Sequence, residues 1–269
     1  MSKYKIFTCI DYNYRRLGLN WAKSLEKINV KNYVIFSLDE KCHDFLTRKK
    51  IPSVLYKSEG INDFNKMSLY RYKILLELLT KNEVVVYSDV DAIWLGNPIP
   101  NLINLKYDAC MSVEKHKTAC PASVRSSWKM TICTGWALFG NSCKKLIEDF
   151  VNNFDNINED KGNDQARFNI YLHSLGDRIN PTEGHSFSLL LSKYKLKILG
   201  LNQQLVNRGK YTSRCGRCHI VPKSSKTKVC HPVSCAGGHR GVTPSFAKST
   251  IRCLKKNGLW LIGAANDQP

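Results

Sequence analysis

Hydrophobic and polar positions alternate between two periods along the first 90 residues. Residues 5–10 (KIFTCI) form an apolar run of strand length. Residues 17–28 place apolar side chains at 17, 21, 25 and 28, a helical spacing. A second strand-like run, YVIFSL, spans 33–38 and ends at Asp39. Residues 42–50 predict a short helix and 51–56 a third strand. MSLYRYKILLELL (67–79) predicts a longer helix, and VVVYS (84–88) a fourth strand. Strands alternating with helices point to βαβ units around a mostly parallel sheet flanked by helices. Such sheets bind ligands at the carboxyl ends of their strands.

The pattern loosens after residue 108. Short apolar stretches stand at 109–113 and 136–139, helical periodicity at 143–154 and 164–174, and a further strand at 196–201. Residues 209–243 are rich in Gly, Cys, Ser and Lys and show little period, which predicts a long ordered loop. No internal repeat and no clean linker interrupt the chain. The expectation is one domain over 1–269, with a half over 1–108 and a second half over 109–269 that carries the Cys-rich basic loop.

Charge changes this picture. The net charge is +19, and between Glu183 and Asp267 there is no acidic residue against 15 Lys and Arg. A one-signed region predicts an anionic partner, such as a phosphate, an acidic glycan or a nucleic acid. No apolar run reaches about 18 residues, and the start lacks a signal-peptide core. A soluble, cytoplasmic protein without a membrane span is therefore expected. In that reducing setting the 11 cysteines read as thiols or metal ligands rather than a disulfide framework.

The main chemical signal is YSDVDAIWLGNP (87–98). Asp89 and Asp91 are two apart, and on an extended backbone both side chains project to one face. Adjacent carboxylates repel unless a cation sits between them, and Mg²⁺ or Mn²⁺ takes such oxygen ligands. The two-residue spacing alone is common by chance; the apolar strand before it and AIWLGNP after it add weight.

YSDVDAIWLGNP resembles the core of the nucleotide-diphospho-sugar transferases of GT-A (Rossmann-like) fold, especially those related to plant cell-wall xylosyltransferases. FSLDEKCHDFLTRKKIP, YRYKILLELLTKNEVVVYSDVD, CTGWALF, NDQARFN and VCHPVSCAGGHR resemble further segments, in the family's order. One departure is Cys133, where the family usually has Asn.

The resemblance implies transfer of a hexosyl or pentosyl unit from a nucleoside diphosphate, UDP first among them, to an acceptor hydroxyl with retention of configuration. The family relation makes 1–108 the nucleotide-binding half and 109–269 the acceptor side. Asp89 and Asp91 would hold the metal, Asp89 alternatively the ribose. His231 would be the third ligand, with His239 its rival. Thr8 and Cys9 would lie under the nucleotide. Asp39 would fix that pocket or cap the next helix. Lys73 and Arg240 would meet the phosphates, although Lys73 also suits a solvated helix face with Lys66 and Arg71. Gly135, Trp136 and Asp164 would line the sugar site, although Trp136 also suits a core. Asp164 and Gln165 would be the catalytic pair; were the reaction inverting, Asp164 would be the candidate general base.

Cys215-x₂-Cys218 and Cys230-x₄-Cys235 form two close pairs that suit a tetrahedral structural zinc, with His219 able to replace one thiol. A disulfide and free thiols stay open beside it. The partners expected are a UDP-sugar and an acceptor glycan or glycoprotein, polyanionic if the charge has a function. The rival reading is a nucleic-acid-binding protein with a zinc knuckle and a basic C-terminal region.

Overall fold

The computed structural model describes residues 4–56, 64–115, 119, 121–157, 164–208, 210–212, 217–219, 225–231 and 244–263. In chain order come β1 (Tyr4–Ile10), α1 (Arg15–Lys27), β2 (Tyr33–Ser37), α2 (Glu40–Arg48), β3 (Ser53–Leu55), α3 (Phe64–Leu79), β4 (Val84–Ser88) and β5 (Ile93–Trp94). There follow α4 (Ile99–Ile103), β6 (Ala109–Glu114), α5 (Ala122–Trp128), β7 (Thr131–Gly140), α6 (Lys144–Asn153) and α7 (Asp164–Ser174). The last third carries β8 (Ile179–Asn180), β9 (Phe187–Leu191), β10 (Leu196–Gly200), β11 (Val206–Arg208), β12 (Lys210–Thr212), β13 (Arg217–His219), β14 (Val229–His231) and α8 (Pro244–Lys256). The fold is mixed α/β with a large nine-stranded sheet flanked by helices. Its contacts group into two compact units.

One unit comprises Ile6–Ile61, Ser88–Asn97 and Gln204–Pro269. Here β1, β2 and β3 pair in parallel, with Thr8 opposite Ile35 and Ile35 opposite Ser53. Helix α1 buries Leu17, Trp21 and Leu25, the spacing read from the sequence. Gly18 lets α1 approach the strands closely, since a Cβ there would stand 2.5 Å from Ile10 Cδ1. Buried Asn20 holds the C-terminal segment: its Nδ2 donates to Leu259 O at 3.1 Å and its Oδ1 accepts from Leu261 N at 2.6 Å. Asp39 caps α2, accepting from Cys42 N at 2.8 Å.

The other unit comprises Met1–Lys5, Asn62–Tyr87 and Pro98–Gln203. Strand β6 pairs parallel with β10 and antiparallel with β7, and β9–β10 is an antiparallel hairpin. The sheet is therefore mixed, because a hairpin needs only a short turn where a parallel pair needs a crossover. The apolar stretch expected at 136–139 is the end of a ten-residue strand, β7. Its ladder breaks: Met111 faces Ala137 while Ser112 faces Cys133. Thr134, Gly135 and Trp136 bulge out of register, and Ser112 Oγ spans the gap by donating to Cys133 O (2.8 Å) and Trp136 O (3.1 Å). Tyr72 of α3, Phe150 of α6 and Phe168 of α7 form the aromatic core of this unit, with centroids 4.7–5.7 Å apart.

Candidate active site

Strand β4 ends at Ser88, so Asp89 and Asp91 do not continue an extended backbone as expected. They converge instead through a turn, closed by Ala92 N donating to Asp89 O at 2.9 Å. The turn feeds straight into β5, whose Ile93 and Trp94 pair antiparallel with Cys230 and Val229 of β14. Leu95 N and Gly96 N both donate to Lys228 O (2.7 and 3.1 Å), which fixes that register. The next residue along β14 is His231, and the ladder delivers it to the turn. Neighbours on a strand face opposite ways, so Cys230 points away from the site. Burial pushes the Cys230 thiol up to about 12.

His231 Nε2 stands 3.2 Å from Asp89 Oδ2 and 3.3 Å from Asp91 Oδ1. The imidazole is buried, Asp91 nearly so, and Asp89 is about one-third exposed. Among the described residues this is the group of three whose ligand atoms all lie within 4.8 Å of one another. An Nε2 proton can satisfy one carboxylate at a time, so His231 by itself does not balance both. The nearby Tyr14 hydroxyl is raised above its ordinary range, first by burial and then by Asp11, Asp91 and Asp89. Asp11 is itself raised, first by burial and also by Asp39. Two carboxylates and one imidazole nitrogen, converging in a negative field with an open side at Asp89, fit a hard divalent cation.

The other unit holds a second polar cluster. Arg71 is buried, ion-paired with Asp164, and donates from Nη2 to Thr134 Oγ1 at 2.7 Å. Its guanidinium lies over the rings of Tyr87 (4.7 Å) and Tyr72 (5.0 Å). The β7 bulge presents Thr134 to it. Gln165 Nε2 donates to Glu114 Oε2 at 3.2 Å, and Asn169 of α7 ties the helix to β7 by accepting from Ile132 N and donating to Ile132 O, each at 2.8 Å.

Other expected site residues fall as follows. Thr8 is fully buried and its hydroxyl has no hydrogen-bond partner among the described residues, while Cys9, on the opposite strand face, is half-buried. Both Asp39 oxygens accept backbone amides, from Cys42 and from Tyr12 (2.7 Å), so its capping role is observed. Lys73 is exposed, its ammonium 5.7 Å from the centre of the Tyr70 ring. Trp136 is fully buried and packs as a core side chain; what emerges from the bulge is Thr134. Gly135 lies in that bulge. Arg240, His239, Cys215 and Cys235 lie outside the described residues, and so do the side chains of Cys218 and His219. No helix among the described residues is long and apolar enough to cross a membrane.

The sequence reading set Arg71 with Lys66 and Lys73 on a candidate solvated helix face, whereas it is buried, and it passed over Glu114, Asp11 and Tyr14. A signal existed for Arg71, which stands three and four residues before buried Ile74 and Leu75 and so shares their helix face. Glu114 carries no comparable mark.

Comparison with known proteins adds to the geometry. A family model described as nucleotide-diphospho-sugar transferase matches residues 28–234. The beta-arabinofuranosyltransferase RAY1 of Arabidopsis thaliana is 24% identical over 108 residues, which covers 36% of this chain and 20% of RAY1. The chain thus spans about a fifth of that relative. The galactosyltransferase LgtC, solved with donor and acceptor sugar analogues, superposes with a TM-score of 0.53 at 14% identity, over 97% of each chain. A glycosyltransferase involved in glycosylation of the PBCV-1 major capsid gives a TM-score of 0.53 at 9% identity, over 92% of this chain and 98% of that one.

Proposed function

The chain belongs to the nucleotide-diphospho-sugar transferase family and is a glycosyltransferase, and from that premise we propose that it transfers a sugar from a UDP donor with the help of Mn²⁺ or Mg²⁺. The observation that carries this reading is the convergence of Asp89, Asp91 and His231 from a turn and a paired strand. A bound divalent cation would supply Lewis-acid stabilisation of the charge that develops on the departing diphosphate.

The chain's own residues take the remaining roles. Asp89 and Asp91 offer carboxylate oxygens and His231 offers Nε2. The orphaned Thr8 hydroxyl is an open hydrogen-bonding position for the nucleotide, with Cys9 beside it. Asp39 acts on that pocket through the amide of Tyr12. Lys73 and Arg240 answer to the phosphates. Asp164 and Thr134, set by Arg71, hold donor-sugar hydroxyls at the level of Gly135, and Gln165 lies near the anomeric carbon. In the retaining reaction the bond from the anomeric carbon to the phosphate oxygen breaks. A bond to the acceptor oxygen forms on the same face, and the acceptor proton passes to the departing phosphate.

The acceptor is a glycan or glycoprotein, polyanionic if the acid-free region from 184 to 266 takes part. A structural zinc on Cys215, Cys218, Cys230 and Cys235 and a cytoplasmic location complete the reading. The nucleic-acid alternative finds no counterpart among the relatives. Isothermal titration with UDP, with and without Mn²⁺, followed by a hydrolysis screen of nucleotide sugars, tests the assignment. UDP binding indifferent to Mn²⁺ and no hydrolysis of any donor would overturn it.

A further inference from the structure

Ser88 is the last residue of β4, directly before the aspartate turn, and it is fully buried. Two indoles converge on its hydroxyl. Trp21 Nε1 of α1 donates to Ser88 Oγ at 3.1 Å, and Trp94 Nε1 of β5 donates to the same oxygen at 3.1 Å. An indole N–H only donates, and a serine hydroxyl has two lone pairs and one proton. Both lone pairs are taken, which leaves only the proton. Its neighbour is Asp89 O, a long contact at 3.4 Å, and that carbonyl also closes the turn by accepting from Ala92 N.

The connectivity makes a closed ring. The chain leaves Ser88, passes through Asp89, Val90 and Asp91, and returns by way of Ala92, Ile93 and Trp94 to the Ser88 oxygen. A second serine braces it from outside: Ser24 Oγ accepts from Trp94 N at 3.1 Å and donates to Trp21 O at 2.7 Å. All four side chains are buried. The turn that carries the two carboxylates is thereby braced by a set of buried neutral hydrogen bonds.

We propose that Ser88 is a positioning residue for the Asp89–Asp91–His231 centre: its hydroxyl, clamped by the Trp21 and Trp94 indoles, fixes the turn so that the two carboxylates converge before any cation arrives. The proposal rests on the reading of that centre as a divalent-cation site. A preformed site spares the cation the cost of ordering its ligands, and supporting groups of this kind change metal affinity by about 10- to 100-fold when removed.

The test titrates Mn²⁺ alone into the full chain by calorimetry, comparing wild type with Ser88→Ala, Ser88→Thr and Asp91→Asn. Ser88→Ala should weaken Mn²⁺ binding by at least about tenfold, and Ser88→Thr, which keeps the hydroxyl, should stay close to wild type. Ser88→Ala also strands two buried N–H groups, so it is paired with the triple variant Ser88→Ala/Trp21→Phe/Trp94→Phe, which leaves no stranded donor. The triple variant should bind Mn²⁺ as weakly as the single one. Wild-type affinity in either alanine-bearing variant, or failure of Ser88→Thr to restore binding, would overturn the proposal. Loss of binding in Asp91→Asn with full binding in Ser88→Ala sinks the Ser88 role alone. No Mn²⁺ binding by wild type sinks the cation site itself.

Discussion

Asp89, Asp91 and His231 bring two negative charges onto one ring nitrogen, whereas Arg71 and Asp164 bring one charge of each sign together with a threonine hydroxyl. The first cluster has a partly exposed edge and two carboxylates to one imidazole. The second is about nine-tenths buried on both sides and already neutral. An unbalanced cluster stores repulsion that an incoming cation can relieve. A balanced one gains nothing from a cation and serves to orient neutral hydroxyls. The contrast therefore predicts opposite responses to removal of a carboxylate.

Breaking the balanced pair should have the larger effect on stability. Asp164→Ala leaves the Arg71 guanidinium buried without its counter-ion, which costs about 3–5 kcal/mol, so thermal unfolding should shift down by several degrees. Asp91→Asn should do the reverse in metal-free buffer, leaving the melting temperature unchanged or raised. A fall in melting temperature for Asp91→Asn as large as for Asp164→Ala would erase the distinction.

Function should reverse that order. Asp91→Asn should abolish the Mn²⁺-dependent part of UDP binding, read by calorimetry. Glu114→Gln should keep UDP affinity and lower turnover by about a hundredfold at most. A glutamine there can accept or donate and no longer dictates which way the Gln165 amide faces. Equal loss of UDP affinity and turnover would mean that Glu114 has a different role. The smallest effect is expected from charge reversal at Lys223, Lys226 and Lys228. Donor hydrolysis should be unaffected, while transfer to a polyanionic acceptor weakens and becomes less salt-dependent. Salt series for hydrolysis and transfer, run side by side, check this.

The parallel strands and helices of residues 4–56 and the α3–β4 entry to the turn were legible because their period matches one buried face. β9 and the full length of β7 were not. β7 hides behind its bulge, where Thr134 to Trp136 interrupt the alternation that marks a strand. In the site, the two aspartates could be read from local context. His231 came from resemblance alone, since nothing in the sequence around 229–231 announces that a two-residue strand at 93–94 is its partner. Arg71 was misread because charge was weighed before helix phase. Glu114 was invisible because its interaction is with Gln165 on a distant helix.

The β5–β14 ladder also governs when this cluster can assemble. His231 leaves the ribosome 140 residues after Asp91. Until then β5 is a strand of two residues whose β14 partner does not yet exist, and closing so long a loop must wait for the far end to appear. The nascent chain therefore carries Asp89 and Asp91 through most of its synthesis without His231 beside them. A polypeptide cut short before residue 229 would carry the strands of the large sheet but neither β14 nor the imidazole that stands between Asp89 and Asp91.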